Sequence, residues 1–209
     1  MSRAAGEREG TGGSDARTRT PSRDIRDALV MGAEAVLVRD GPAAVTVRAV
    51  AAQAGVAPMG VYNHLGGKDG LIEALLVQGF DRLRAALASR GETDPVERLR
   101  AAGLRYREFA MANRRHYALM FEAAIPFDMD GSPAVREHAT AAFGELVGHV
   151  EIVVVAGTRP ASDAFDLAQQ MWSSVHGAVA LELKGLILTP DPAATYRALL
   201  ELLLRGLAT

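Results

Sequence analysis

At 209 residues, with 49% hydrophobic and 23% charged side chains, the chain fits a globular protein of one or two domains. It has no cysteine, which removes disulfides, thiolate metal sites and cysteine nucleophiles and agrees with a reducing cytoplasmic setting. No apolar run reaches the roughly 18 residues a bilayer span needs, and no hydrophobic leader heads the chain.

Net charge is −2, but it divides unevenly. Residues 17–68 carry seven Lys/Arg against four Asp/Glu, whereas residues 69–209 carry 14 against 18. Positive potential therefore concentrates near the start, and the acidic remainder suits solvent, ligand and a partner subunit. Residues 1–21 are rich in Gly, Arg, Ser and Thr without apolar periodicity, and read as a disordered arm. Its Arg17 and Arg19, with Arg23 just beyond, either reach phosphates or a minor groove, or simply solvate a tail.

Residues 22–40 form an amphipathic pattern, with Ile25, Leu29, Ala33, Val36 and Leu37 on one face and Gly41 as the stop. The stretch 46–65, TVRAVAAQAGVAPMGVYNHL, then predicts two short helices hinged at a glycine. Thr46 has the hydroxyl to cap the first; Val47, Val50 and Ala51 face inward, with Arg48 and Gln53 on the wet side. Gly55 supplies the turn, Val56 fills the angle between the helices, and Pro58 suits the first position of the second. That second helix, about Pro58 to His64, carries exposed-looking Met59, Tyr62, Asn63 and His64, the layout of a helix-turn-helix whose second member enters the major groove. An ordinary helical hairpin in a core is the competing reading. After Gly66 and Gly67, Lys68 and Asp69 open a long helix through Ile72, Leu75, Leu76 and Phe80.

Chemistry suggests roles within this head. Tyr62 and His64 can donate to phosphate oxygens, as can Thr46 and Lys68 at helix starts. Arg48 can read a base edge or a phosphate, and Asn63 can pair with adenine. Met59 and Gly60 offer close apolar approach beside Pro58. Partial burial of Tyr62 against the first helix, and a plain surface role for His64, are the alternatives.

Over residues 24–80 the chain resembles the tetracycline-repressor (TetR) family of regulators. The resemblance is carried by Gly41, Thr46, Val47, Arg48, Val50, Ala51, Ala54, Gly55, Val56, Tyr62, His64, Lys68, Asp69 and Leu71. A second likeness, at Trp172, His176 and Gly177, is to the Trp-His-Gly type of ligand-binding domain. Three departures stand out. Ala57 replaces a Ser that usually caps the recognition helix, Leu65 replaces a Phe, and Gly66 and Gly67 stand where a capping Ser or Asn is usual. The resemblance implies an all-α fold: a three-helix DNA-binding head with a helix-turn-helix at 22–67, and a helical-bundle ligand-binding and dimerisation domain at 68–209.

Beyond residue 80 helices are expected to the end. Asp94-Pro95 starts one to about Ala112, Asn113 caps a short one through Tyr117, Met120 and Phe121, and Ser132-Pro133 closes the loop at 125–133 and opens the next. The VEIVVVA segment reads as a strand by composition or as a buried helix end, and the lack of a partner strand favours the helix. GTRPAS, 157–162, breaks that helix, and two more follow at about 163–188 and 191–207. Both are apolar on several faces, so each must be covered twice, which predicts a four-helix homodimer interface; burial in a monomer core is the alternative.

The resemblance also implies a small-molecule pocket among helices spanning 80–180. Candidate lining residues are Phe80, Leu83, Tyr106, Phe109, Tyr117, Met120, Phe121, Phe143, Trp172 and His176, with Trp172 and His176 four apart on one face. Binding of an apolar or amphipathic effector would release a repressor from a palindromic operator, although activation is an open outcome. No nucleophile elbow, phosphate loop or Glu-x-x-His pair is present, so no enzyme and no cofactor are expected. Two rivals are a metal-responsive regulator using His138, Glu145 and His149, and a helical interaction module that no longer binds DNA.

Overall fold

The computed structural model describes residues 22–122, 128, 131–157 and 163–207. The arm at 1–21, with Arg17 and Arg19, lies outside the described residues, as do most of the loops expected at 125–133 and 157–162. Among the described residues the architecture is all helical. The head comprises α1 (Ser22–Asp40), a 3-10 turn (Pro42–Ala44), α2 (Val47–Ala54) and α3 (Pro58–Leu65). The rest is α4 (Lys68–Leu87), α5 (Pro95–Ala112), α6 (Arg114–Phe121), α7 (Pro133–Ala156), α8 (Ala164–Leu183) and α9 (Pro192–Leu207).

The periodic face of α1 is fully buried at Leu29, Ala33, Val36 and Leu37, against Val45, Val50 and Ala51 before and on α2, Val61 on α3, and Leu71, Ile72 and Leu75 on α4. Truncating one such fully buried Leu to Ala costs about 2–5 kcal/mol of stability. Thr46 Oγ1 accepts from the Ala49 amide at 3.2 Å and starts α2, as its chemistry suggested.

Two glycines fix the head's geometry. Gly55 adopts φ 66°, a left-handed conformation that ends α2, and a Cβ there would meet nothing within 4 Å. Gly70, one turn into α4, is required by proximity: a Cβ would lie 1.5 Å from the Leu65 carbonyl oxygen at the end of α3. The recognition-like helix is thus seated directly on the first turn of α4.

Three seams hold the bundle. Helices α4 and α7 run side by side in the same direction, joined by Ser132 Oγ to Glu73 (2.7 Å), His138 to Asp81 (2.5 Å), Arg84 to Glu145 (3.3 Å) and His149 Nε2 to the Leu87 carbonyl (2.9 Å). Arg107 forks onto Glu182 (2.8 and 2.5 Å) to tie α5 to α8. Arg100 forks onto Glu201 (2.6 and 3.1 Å) to tie α5 to α9. Tyr196 donates to the Gly103 carbonyl at 2.7 Å, so α9 is also docked by a buried phenol.

Head and bundle share one continuous apolar core, and a polar node lies where they meet. Arg82 on α4 binds Glu34 on α1 at 2.6 Å and lies 3.4 Å from His116 on α6, which is 2% exposed. Burial pushes the His116 pKa down from 6.5; the Arg82 charge adds to this and Glu34 opposes it.

The structure corrects several expectations. Asn113 does not cap α6: its Nδ2 turns back to the Phe109 carbonyl at 2.8 Å and finishes α5, leaving α6 without a side-chain cap. Helix α8 stops at Leu183, five residues before the expected end at 188, because the amides of Gly185 and Leu186 bond back to Glu182 and Leu181. Leu186 and Leu188 are therefore exposed linker residues. The VEIVVVA segment is helical, but only one side of it is buried: Val153 and Val154 are inside, Ile152 and Val155 outside. Among the described residues α7 alone is long and apolar enough to cross a bilayer by length and composition, although Glu145, His149 and Glu151 interrupt its apolar run. It packs here along α4, α5 and α8.

Two measurements test this account. Gly70→Ala should prevent native packing of the head, whereas Gly55→Ala should cost about 1–2 kcal/mol in urea denaturation and leave the fold intact. For His116, the folded state favours the neutral ring, so its contribution to stability is full above pH 6.5 and falls as pH drops below that value. The urea midpoint should decrease between pH 7.5 and pH 5.5, and His116→Asn should flatten that decrease.

Candidate nucleic-acid interface and candidate ligand cavity

Helix α3 is anchored by one side and presents the other. Val61 is fully buried, while Met59 and Tyr62 are 64% and 55% exposed, and Pro58 and Asn63 are exposed beside them. His64 is half-buried. Ala57 supplies no side-chain cap, and the start of α3 rests on Pro58 at its first position. Gly60 is engaged from within: a Cβ there would lie 2.5 Å from Val56 Cγ1, so its smallness closes the angle between α2 and α3. The Tyr62 ring lies over the following turn, 3.2 Å from where a Gly67 Cβ would be, which positions the phenol at the rim of the exposed face.

Thr46 capping α2, Arg48 on α2 and Lys68 at the start of α4 flank α3, all exposed. Among the described residues Arg48 and Lys68 form no ion pair, so both charges remain available to a polyanion. Sequence reasoning missed the latch behind this surface. Arg39 Nη1 donates to Gln53 Oε1 at 2.9 Å while its guanidinium pairs with Asp40, which locks α1 to the end of α2. Gln53 lies 14 residues beyond Arg39, outside the reach of any local pattern.

The second candidate site is a cavity of about 370 Å³ enclosed by α4, α5, α6, α7 and α8. It is lined by Phe80, Leu83, Tyr106, Met120, Phe121, Phe143 and Trp172 of the residues named from sequence. Phe109, Tyr117 and His176 are not in its wall. The unanticipated part of the lining is aliphatic or small: Leu87, Leu99, Ala102, Gly103, Ala139, Ala142, Leu146, Met171 and Val175, with Gln169 at the exposed edge. In sequence such residues are indistinguishable from close-packed core; only the spacing Ala139, Ala142, Phe143, Leu146 marks one inward stripe on α7.

Tyr117 and His176 sit immediately behind that wall. Both the Tyr106 and Tyr117 hydroxyls approach His176 Nδ1 at 2.8 Å, and they are 3.4 Å from each other. The Tyr117 ring stacks on His176 with centroids 5.5 Å apart, and Phe121 and Trp172 pack against the same imidazole at 5.0 and 5.3 Å. Burial raises the pKa of both tyrosines and lowers that of His176, so all three are neutral at pH 7.

The residues suggested as metal ligands do not converge. His138, Glu145 and His149 each bond to a different point on α4, and no group of three ligating side chains is present among the described residues.

Relatives agree with this geometry. Residues 99–203 match the family described as tetracyclin repressor-like, C-terminal domain, and residues 29–75 match the family described as bacterial regulatory proteins, tetR family. An HTH-type transcriptional regulator of Mycobacterium tuberculosis is 27% identical over 191 residues, which span 90% of this chain and 83% of that one. The HTH-type transcriptional activator FasR of Mycolicibacterium smegmatis is 33% identical over 119 residues, 56% of this chain and 54% of its own. A solved structure from Rhodococcus sp. RHA1 superposes with a TM-score of 0.78 at 27% identity, covering 93% of this chain and all of that one. The TetR family transcriptional regulator PfmR of Thermus thermophilus shares the fold, with a TM-score of 0.60 at 18% identity over 85% of this chain and 97% of its own. With an exposed helix-turn-helix on a helical bundle and a family match at each end, the chain belongs to the tetR family and is a DNA-binding transcriptional regulator.

Proposed function

We propose that the protein is a homodimeric repressor that leaves a palindromic operator when a small, mainly apolar effector enters the cavity. The observation that carries the reading is mechanical: one helix serves both sites. The first turn of α4 supports α3 through Gly70, and its later residues Phe80, Leu83 and Leu87 form cavity wall. Helix α6 repeats the connection, with Met120 and Phe121 in the wall and His116 in the node with Arg82 and Glu34 of α1. A ligand that prefers one setting of α4 and α6 then shifts the spacing of two heads, lowering operator affinity by its differential affinity for the two states.

In this reading residues 22–67 are the DNA-binding domain and residues 68–209 bind ligand and dimerise. Thr46, Tyr62, His64 and Lys68 hold phosphates, Arg48 and Asn63 meet base edges or phosphates, and Pro58, Met59 and Gly60 make the close approach. A duplex partner places the working protein in the cytoplasm, and no catalytic step, metal or cofactor enters. Exposed apolar residues on the last two helices, Leu181 and Leu202 among them, support a two-fold interface there. The similarity to FasR, an activator by name, favours a second reading in which the bound state stimulates transcription.

Fluorescence anisotropy with a duplex from the region upstream of the protein's own gene tests the DNA side. Wild-type affinity should fall steeply as salt rises from about 50 to 200 mM. Tyr62→Ala and Lys68→Ala should each weaken binding on every sequence, with only the loss of the Lys68 charge reducing the salt slope by about one, and Arg48→Ala should cost about 1–3 kcal/mol if it reads a base. Binding insensitive to all three changes would refute the assignment. The dimer is tested by sedimentation: Leu202→Glu should convert a two-subunit species into a folded monomer that has lost operator binding.

A further inference from the structure

Among the described residues the cavity wall carries no charged side chain: its lining contains no Asp, Glu, Lys, Arg or His, and its side-chain polar groups are the Tyr106 hydroxyl, the Trp172 indole and the Gln169 amide. Gln169 lies at the exposed edge, where its Nε2 donates to Ser173 Oγ at 3.2 Å. An ionised ligand group entering this space would lose its hydration with no countercharge to replace it, a heavy penalty even after relaxation.

The polar corner behind Tyr106 is over-supplied with protons. The two tyrosine hydroxyls each approach His176 Nδ1 at 2.8 Å, yet that nitrogen offers either one lone pair or one N–H. As an acceptor it takes one O–H, and the second hydroxyl is left to reach the first across 3.4 Å. As a donor it serves one oxygen and leaves the hydroxyl protons to that same long contact. In either tautomer at least one O–H lacks a well-placed acceptor, a costly arrangement in a buried site. Of the two phenols only Tyr106 forms part of the cavity wall.

We infer that the cavity takes an uncharged, largely apolar molecule with one hydrogen-bond-accepting oxygen, such as an alcohol, ketone, ether or ester, and that the Tyr106 hydroxyl donates to it. His176 Nδ1 is then left to Tyr117 alone, and all three polar groups are satisfied. The carbon skeleton of the ligand lies against Phe80, Leu83, Phe143 and Val175. The inference rests on reading this cavity as the effector site.

Trp172 is the only tryptophan in the chain and lines the cavity, so its emission reports occupancy directly. The full-length protein at pH 8 is titrated with 1-hexanol, 1-heptanol and 1-octanol, then with octanoate and octylammonium, and with propylbenzene as a neutral ligand that lacks oxygen. Affinity should rise about fourfold per added methylene along the alcohols. 1-Octanol should bind at least about 100-fold more tightly than either ion. Tyr106→Phe should weaken 1-octanol about three- to tenfold and leave propylbenzene unchanged. Equal affinity for octanoate or octylammonium, absence of alcohol binding, or an equal loss for 1-octanol and propylbenzene in the variant would overturn the inference. Anisotropy of the operator complex runs in parallel. Selective alcohol binding that leaves DNA affinity unchanged preserves the ligand chemistry and retires the regulatory reading. A change in DNA affinity without that selectivity does the reverse.

Discussion

The apolar face of α4 is the constraint on which the rest of the molecule depends. Leu71, Ile72, Leu75 and Leu76 bury its first half against the head, and Phe80, Leu83 and Leu87 bury its second half against the bundle. Among the described helices α6 also touches both, but α4 alone meets α3 as well as the cavity wall. Because interiors are packed to crystal-like density, neither half can shift without its neighbours. The contact of Gly70 with the Leu65 carbonyl makes the coupling to α3 steric, and so independent of salt and pH.

The polar contacts play a different part from the apolar ones. Most ion pairs here are at least partly exposed, so solvent screening leaves each of them weak. Their value lies in direction: the Arg107–Glu182 and Arg100–Glu201 forks set how α5 faces α8 and α9, and the Arg39–Gln53 contact sets how α1 meets α2. The Glu34–Arg82–His116 node is the exception, since it places a buried imidazole beside a cation at the junction of head and bundle. Its neutral ring is a product of burial, which ties the protonation of that junction to the integrity of the core.

Much of the head was legible in the sequence because its signals are local. Thr46, Gly55 and Pro58 each mark a backbone event close to themselves in the chain, and periodicity alone placed Leu29, Ala33, Val36 and Leu37 inside. The bundle was less legible because its decisive contacts are distant. Asn113 has the chemistry to cap α6, but a closer acceptor at Phe109 claims it. The true end of α8 was hidden by apolar residues that continue into an exposed linker. Of the side chains singled out for the cavity, Phe109, Tyr117 and His176 fall outside its wall, since facing an opening and facing a filled core look the same in one dimension. The convergence of two phenols on one imidazole joins residues 59 and 70 positions apart, beyond the reach of any pattern in the chain.

The α4–α7 seam limits how the bundle can rearrange. Its four polar links pair successive points on two parallel helices, like rungs at matched heights. A ratchet of one element past the other by a single turn, about 5.4 Å, would sever all four together. Shear along this seam is therefore opposed by four contacts that are lost together, whereas any motion that carries α4 and α7 as one plate keeps them all.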